Sequence, residues 1–175
     1  WPTIITSGAL GSRAAYGQGA TPPASERLRF GVIGCGGQGR GNMGPHLKDI
    51  VAVADCDLKR AGDAATAVTK AGGTAEVYQD YRKMLERKDI DAVLISTPDH
   101  WHALATIHSC MAGKDVYCEK PLTHTVAEGR AMVNAARKYG RVVQTGSQQR
   151  SSKEFRLACE LIRNKKIGKI KEIQV

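Results

Sequence analysis

Aromatic side chains are scarce in this chain, with two Phe, two Trp and five Tyr among 175 residues. That scarcity counts against a nucleic-acid surface, where bases stack on rings that alternate with cations. The formal net charge of +9 does not reverse the reading. Its basic residues fall in scattered pairs along expected helix surfaces (Lys59 and Arg60, Arg82 and Lys83, Arg137 and Lys138), and a solvated face accounts for them. The one dense run, Arg163 to Lys171, lies near the C-terminus. No CxxC pair is present, and the five cysteines, Cys35, Cys56, Cys110, Cys118 and Cys159, are odd in number. Neither a zinc site nor a full disulfide framework is signalled, and the thiols read as reduced and mostly buried. No apolar run reaches the roughly 18 residues of a membrane-spanning helix. A starting methionine is also missing; the opening at Trp1 leads us to expect further sequence upstream.

What is present is enough for one sizeable core. Residues 1–27 are rich in Ala, Gly, Ser, Thr and Pro with almost no charge, and read as an arm or linker. From residue 28 the pattern changes to short apolar runs alternating with helical segments. Strands are expected at Leu28 to Ile33, Ile50 to Ala54, Glu76 to Tyr78, Ala92 to Ser96, Asp115 to Cys118 and Val142 to Thr145. Near-continuous apolar strands suit a parallel sheet covered on both faces. Helices are expected at Gln38 to Lys48, Leu58 to Ala71, Tyr81 to Arg87, Trp101 to Ala112 and Val126 to Tyr139, the first a poor one because of Gly41, Gly44 and Pro45. Right-handed crossovers then give a doubly wound α/β sheet over 28–150, with a ligand crevice at the C-terminal strand ends. In 151–175 a helix from Ser151 to Asn164, with Phe155, Leu157, Ala158, Leu161 and Ile162 on its buried side, precedes an alternating segment, KIKEIQV. That segment reads as the first strand of a second, absent domain.

The first strand ends in RFGVIGCGGQG, which places Gly34, Gly36 and Gly39 at G-x-G-x-x-G spacing around Gly37 and Gln38. The first glycine permits a tight turn, the second lets the main chain approach a pyrophosphate, and the third lets the helix pack near the strand. Asp55 ends the second strand about twenty residues on, where a carboxylate receives ribose hydroxyls and repels the extra phosphate of NADP. NAD is the expected cofactor. Asp55 also suits a turn that caps the helix from Leu58, although Asp57 can fill that role instead.

Three further loops bring polar groups to the same edge: STPDHWH from Ser96, CEKPLT from Cys118 and QTGSQQR from Gln144. Together with GCGGQG, in this order and spacing, they resemble the N-terminal half of the Gfo/Idh/MocA oxidoreductases. The resemblance implies a Rossmann domain followed by a second α/β domain with a large open sheet. It implies that Gly34, Gly36, Gly39 and Asp55 hold pyrophosphate and adenosine ribose, and that Thr97, Pro98 and His102 line the nicotinamide side. It puts Lys120 at the reacting hydroxyl and Glu119 near the nicotinamide ribose. A cationic ring and partial burial both disfavour an ammonium, so Lys120 is suited to accept a proton; its bland alternative is a surface ion pair with Glu119. Either isomer of the Lys120-Pro121 bond is compatible with the sequence.

His100 and His102 do not share a helix face and have no third ligand nearby, so no metal is expected. Asp99 is expected to cap the helix, His102 to turn to the cofactor and Trp101 to pack beneath. Gln148, Gln149 and Arg150 are candidates for the nicotinamide amide or the substrate, with loop solvation as the alternative. The function implied is NAD-dependent oxidation of a sugar, inositol or sugar derivative, in a protein expected to be a homo-oligomer when full length. Two alternatives stand beside it: a glycosidase or lyase that uses NAD transiently, and a non-enzymatic, nucleotide-regulated binding protein. WPTIITSGALGS resembles the segment that follows a twin-arginine signal in exported family members, which favours a periplasmic location over a cytoplasmic one.

Overall fold

The computed structural model describes residues 27–174. The N-terminal arm expected over 1–27 therefore lies almost wholly outside the described residues, as does the twin-arginine resemblance. Six strands, β1 (Phe30–Ile33), β2 (Ile50–Ala54), β3 (Glu76–Tyr78), β4 (Ala92–Ile95), β5 (Asp115–Glu119) and β6 (Val143–Gly146), form one sheet in the order β3-β2-β1-β4-β5-β6. Every pairing is parallel. Successive strands are added in one direction from β1 to β3 and in the other from β4 to β6, so the switch point at which a doubly wound sheet opens its crevice lies between β1 and β4.

The strands read as continuous apolar runs because both faces are covered. Val32, Val53 and Leu94 meet Met43, Ala61, Ala64 and Val68 on one side. Ile33, Ala54, Val93 and Ile95 meet Met84, Leu85, Ala105 and Cys110 on the other. Val32 and Ile33 are adjacent in sequence and both buried, which the two-residue period of a strand allows only between two helical layers.

The helices are α1 (Gly37–Met43), α2 (Leu58–Lys70), α3 (Tyr81–Leu85), α4 (Asp99–Met111), α5 (Val126–Tyr139) and α6 (Lys153–Arg163). The first helix is shorter than the sequence suggests. Gly44 and Pro45 open a 3-10 segment, Gly44–Asp49, because Pro cannot donate into the α ladder. Asp57 caps α2 by accepting from Lys59 N and Arg60 N, the role left open between it and Asp55. A capping box of Thr125 and Glu128 starts α5, and left-handed Gly140 ends it.

At the C-terminal side two expectations change. Phe155, Leu157, Ala158, Leu161 and Ile162 are all exposed on α6, since no described element packs over that face. Residues 169–174 form no strand, for the alternating pattern finds no neighbouring strand to supply a ladder.

Candidate active site

The turn after β1 is built by sterics. Gly34 has φ +90°, and a Cβ there would stand 2.7 Å from Ser96 O and 2.8 Å from Thr97 N, so the turn after β1 lies directly against the end of β4. At Gly39 a Cβ would collide with Gly34 O, which ties the close approach of α1 to the absence of a side chain. Gly36 differs. Its Cβ would meet only Arg60 Nη1, at 3.9 Å, so protein packing does not demand glycine there. The open space lies on the crevice side, where the first N–H groups of α1 have no intrahelical acceptor.

Asp55 braces this turn. Its Oδ2 accepts from Cys35 N at 2.8 Å and its Oδ1 from Asp57 N at 2.9 Å, which fixes the carboxylate at the end of β2. Oδ1 also lies 3.7 Å from Cys56 Sγ, whereas Oδ2, with Cys35 N as its one donor among the described residues, keeps a second lone pair for a hydroxyl. Cys35 Sγ lies 3.6 Å from Ala54 O; burial, reinforced by the Asp55 charge, pushes this thiol up to about 12. Cys35, Gly36, Gly37, Arg40 and Arg60 enclose an open cleft of about 320 Å³ beside the turn.

On the other side of the switch point, Glu119 is 3% exposed and gathers donors from three elements. Its Oε1 accepts from Asn42 Nδ2 at 2.8 Å, Gln38 Nε2 at 3.0 Å and Gln148 Nε2 at 3.0 Å, while Oε2 accepts from Lys120 N at 3.2 Å. Burial alone raises this carboxyl, but the amide hydrogens of Asn42, Gln148 and Gln38 and the Lys120 N–H outweigh it and hold the group below its usual 4.5. Gln38 and Asn42 are one turn apart on α1, so both face the end of β5. Asn42 Nδ2 also reaches Ser96 Oγ at 2.9 Å, which joins the ends of β4 and β5. Gly146 makes room for this hub: a Cβ there would come within 3.0 Å of Glu119 Cα and 3.1 Å of its Cδ.

The loops after β4 and β5 meet at His102. This residue is 1% exposed, with Nδ1 2.6 Å from Pro121 O and Nε2 2.8 Å from Thr97 O. Its ring is therefore a tie between the two loops and is not turned to the cofactor as expected. The helix start also differs. Pro98 occupies the cap position and Asp99 is the first helical residue, where its carboxylate complements the helix dipole but makes no capping bond. Trp101 is 44% exposed and does not pack beneath. His100 is exposed and His102 buried, so the two rings do not converge.

Thr97 Oγ1 is buried without a hydrogen-bond partner inside the protein, at the crevice beside Gly34. Pro98 is exposed next to it. Lys120 follows Glu119 and its bond to Pro121 is cis; its side chain is exposed, so the partial burial expected of its amine is not found among the described residues. Among the described residues it makes no ion pair with Glu119. Gln148 spends its amide on Glu119 and Tyr117, leaving Gln149 and Arg150 exposed in the loop.

A turn whose middle glycine, Gly36, is not demanded by protein packing, a braced carboxylate and an orphaned threonine hydroxyl together fit a dinucleotide laid across the switch point. Residues 28–147 match the model of the oxidoreductase family with the NAD-binding Rossmann fold, Gfo/Idh/MocA. The chain belongs to this family. It is 38% identical over 123 residues to inositol 2-dehydrogenase of Klebsiella pneumoniae subsp. pneumoniae, covering 68% of this chain and 36% of that protein. The fold superimposes on myo-inositol 2-dehydrogenase from Lactobacillus plantarum with a TM-score of 0.70 at 28% identity, over 82% of this chain and 43% of that one. The WlbA dehydrogenase from Bordetella pertussis, solved with NADH and UDP-GlcNAcA, matches with a TM-score of 0.68 at 26% identity, over 82% and 44% of the two chains. The chain thus spans less than half the length of these relatives, and the part it spans is the NAD-binding domain.

Three residues of this Gfo/Idh/MocA domain escaped the sequence reading. Asn42 and Arg40 sit on a helix whose composition looked weak, and Arg60 looked like one of many surface cations. The i, i+4 relation of Gln38 and Asn42 was the one available signal for the first.

Proposed function

We propose that this chain forms the cofactor half of an NAD-dependent dehydrogenase that oxidises a hydroxyl of an inositol, a sugar or a sugar derivative. The observation that carries the reading is the placement of Lys120. Its main chain is locked through Glu119 to α1, and its side chain stands open at the strand edge that also holds the glycine turn and Thr97. A residue fixed at its root and free at its tip can meet a substrate brought to the crevice.

In this reading the backbone N–H groups of Gly36, Gly37, Gln38 and Gly39 hold the pyrophosphate, Gly34, whose own N–H donates to Ala54 O at 2.9 Å, shapes the turn that presents them, and Asp55 receives the adenosine ribose hydroxyls. Thr97 and Pro98 face the nicotinamide end, Glu119 and Gln148 hold the loops around it, and Lys120 Nζ accepts the proton of the reacting hydroxyl. Bound NAD supplies the hydride acceptor. The names of the relatives, inositol 2-dehydrogenases among them, support a polyol substrate.

The test is an absorbance assay for NADH in the protein that carries this chain with its substrate domain, supplied with NAD and a panel of inositols and hexoses. At least one polyol should yield NADH in proportion to the alcohol consumed. Substrate conversion without net NADH contradicts the dehydrogenase reading and points to transient oxidation.

A further inference from the structure

We propose that Asn42 is a positioning residue for the reaction: its one side-chain amide spans the ends of β4 and β5 and so sets where Thr97 stands relative to Lys120. The proposal rests on the reading of this crevice as a dehydrogenase site, and adds to it a residue that acts through its neighbours.

The ladder between β4 and β5 ends with Ile95 opposite Cys118. Ser96 and Glu119 come next, where the two chains part, one toward α4 and the other toward Pro121. There Asn42 takes over from the main chain. Its Nδ2 lies 2.9 Å from Ser96 Oγ and 2.8 Å from Glu119 Oε1, so the two hydrogens of one nitrogen serve both strands. The residue after each partner is one that the reaction uses: Thr97 follows Ser96, and Lys120 follows Glu119.

The amide has one orientation. An ionised carboxylate only accepts, so the nitrogen must face Glu119, and Gln38 Nε2 donates at 3.3 Å to Asn42 Oδ1. Gln38 and Gln148 also donate to Glu119 Oε1, but neither bonds to β4 among the described residues. Asn42 is therefore the one amide of the three that fixes the gap between the strand ends. His102 closes the same gap farther along, through Thr97 O and Pro121 O. Lys120 thus sits between two ties, and Asn42 is the one that refers it to α1, the helix that opens at the glycine turn. A misplacement of about 1 Å at such a root costs on the order of 100-fold in rate.

Steady-state kinetics on the protein that carries this chain with its substrate domain test this, with NAD and with myo-inositol, scyllo-inositol and glucose as probes; calorimetry gives NAD affinity and thermal melts check folding. Asn42→Leu keeps the bulk and removes the bridge, while Glu119 retains the amides of Gln38 and Gln148, so the variant should fold. Its kcat should fall by roughly 10- to 100-fold, with NAD affinity and the KM of the polyol within about 3-fold of the unaltered protein. Ser96→Ala removes one arm of the bridge and should lower kcat by about 3- to 10-fold; added to Asn42→Leu it should change nothing further, because the bridge is already gone. Asn42→Asp keeps the shape but sets a second carboxylate against Glu119. Its deficit, taken as a ratio to the unaltered protein at each pH, should shrink from about pH 8 to about pH 6 as a proton shared between the two carboxylates restores one bond.

A kcat for Asn42→Leu within about 2-fold of the unaltered protein overturns the proposal. So does a loss of NAD affinity as large as the loss of kcat, or a Ser96→Ala effect that is the same with and without Asn42. If Asn42→Leu does not fold, Ser96→Ala and Asn42→Asp decide: an unchanged kcat in the first, or a deficit constant with pH in the second, overturns it. An unaltered protein that makes no NADH from any of the three polyols overturns the dehydrogenase reading, and the proposal with it.

Discussion

Asn42 Nδ2 donates to Glu119 Oε1 at 2.8 Å, joining the first helix to the end of the fifth strand across 77 residues of sequence. The bond makes the end of β5, with Glu119 and Lys120, depend on the helix that opens at the glycine turn. It also keeps a nearly buried carboxylate ionised.

That ionisation has a pH signature. Glu119 is held below its usual 4.5 in the folded chain, so it contributes stability that is fully present above pH 4.5 and is lost as pH falls through the folded value. Asp80 and Asp89, each lowered to about 2 by an arginine partner, contribute to acid sensitivity in the same direction. Melting curves of the unaltered chain and Glu119→Gln across pH 3 to 7 isolate the Glu119 part, with each pH value about one unit apart. The variant should be less stable near pH 7 by about 1–3 kcal/mol, and the gap should shrink in acid. A gap that is constant with pH contradicts the account.

The glycines of the turn should separate cleanly. Gly34→Ala faces Ser96 O at 2.7 Å with a positive φ and should destabilise the fold by about 2 kcal/mol or more. Gly36→Val should melt close to the unaltered chain, because only Arg60 Nη1 stands near its Cβ, yet lose NAD binding. Thermal melts with and without NAD read both. If NAD protects Gly36→Val against heat as well as it protects the parent, the turn is not the pyrophosphate site.

His102→Phe fills the same space but leaves Thr97 O and Pro121 O without their ring partner. A loss of about 2–4 kcal/mol is expected in urea denaturation. A change under about 0.5 kcal/mol would mean that the ring does not tie the loops.

Thiol chemistry reports on the same packing. Burial pushes Cys35 up to about 12 and Cys118 up to about 11, and raises Cys110, while Cys56 and Cys159 are exposed. Iodoacetamide should label Cys56 and Cys159 first, and the other three only after denaturant is added. Early labelling of Cys35, read by mass spectrometry, contradicts the closed turn.

The sheet was legible because a strand buried on two faces leaves an unbroken apolar run, and β2 and β3 agree with the expected spans residue for residue. The glycine turn and the position of Asp55 at the end of β2 were legible because their geometry is local: Gly34 turns at positive φ and Asp55 Oδ2 accepts from Cys35 N. His102 was not, since its partners Thr97 O and Pro121 O are main-chain atoms placed by two separate loops. Glu119 was assigned to the ribose from resemblance, and its three side-chain amide partners come from α1 and the loop after β6. The exposed apolar face of α6 shows the limit of periodicity: the pattern says which face is apolar, but burial needs an element to cover it.

The central claim is that the crevice binds NAD while Lys120 serves the hydroxyl, and Lys120→Met tests it most directly. The substitution keeps the stem and removes the amine. In the protein that carries this chain with its substrate domain, NAD affinity by calorimetry should stay within about 3-fold, and turnover of a polyol substrate should fall by roughly 100-fold or more. Near-normal turnover, or a loss of NAD affinity as large as the loss of turnover, would contradict the assignment.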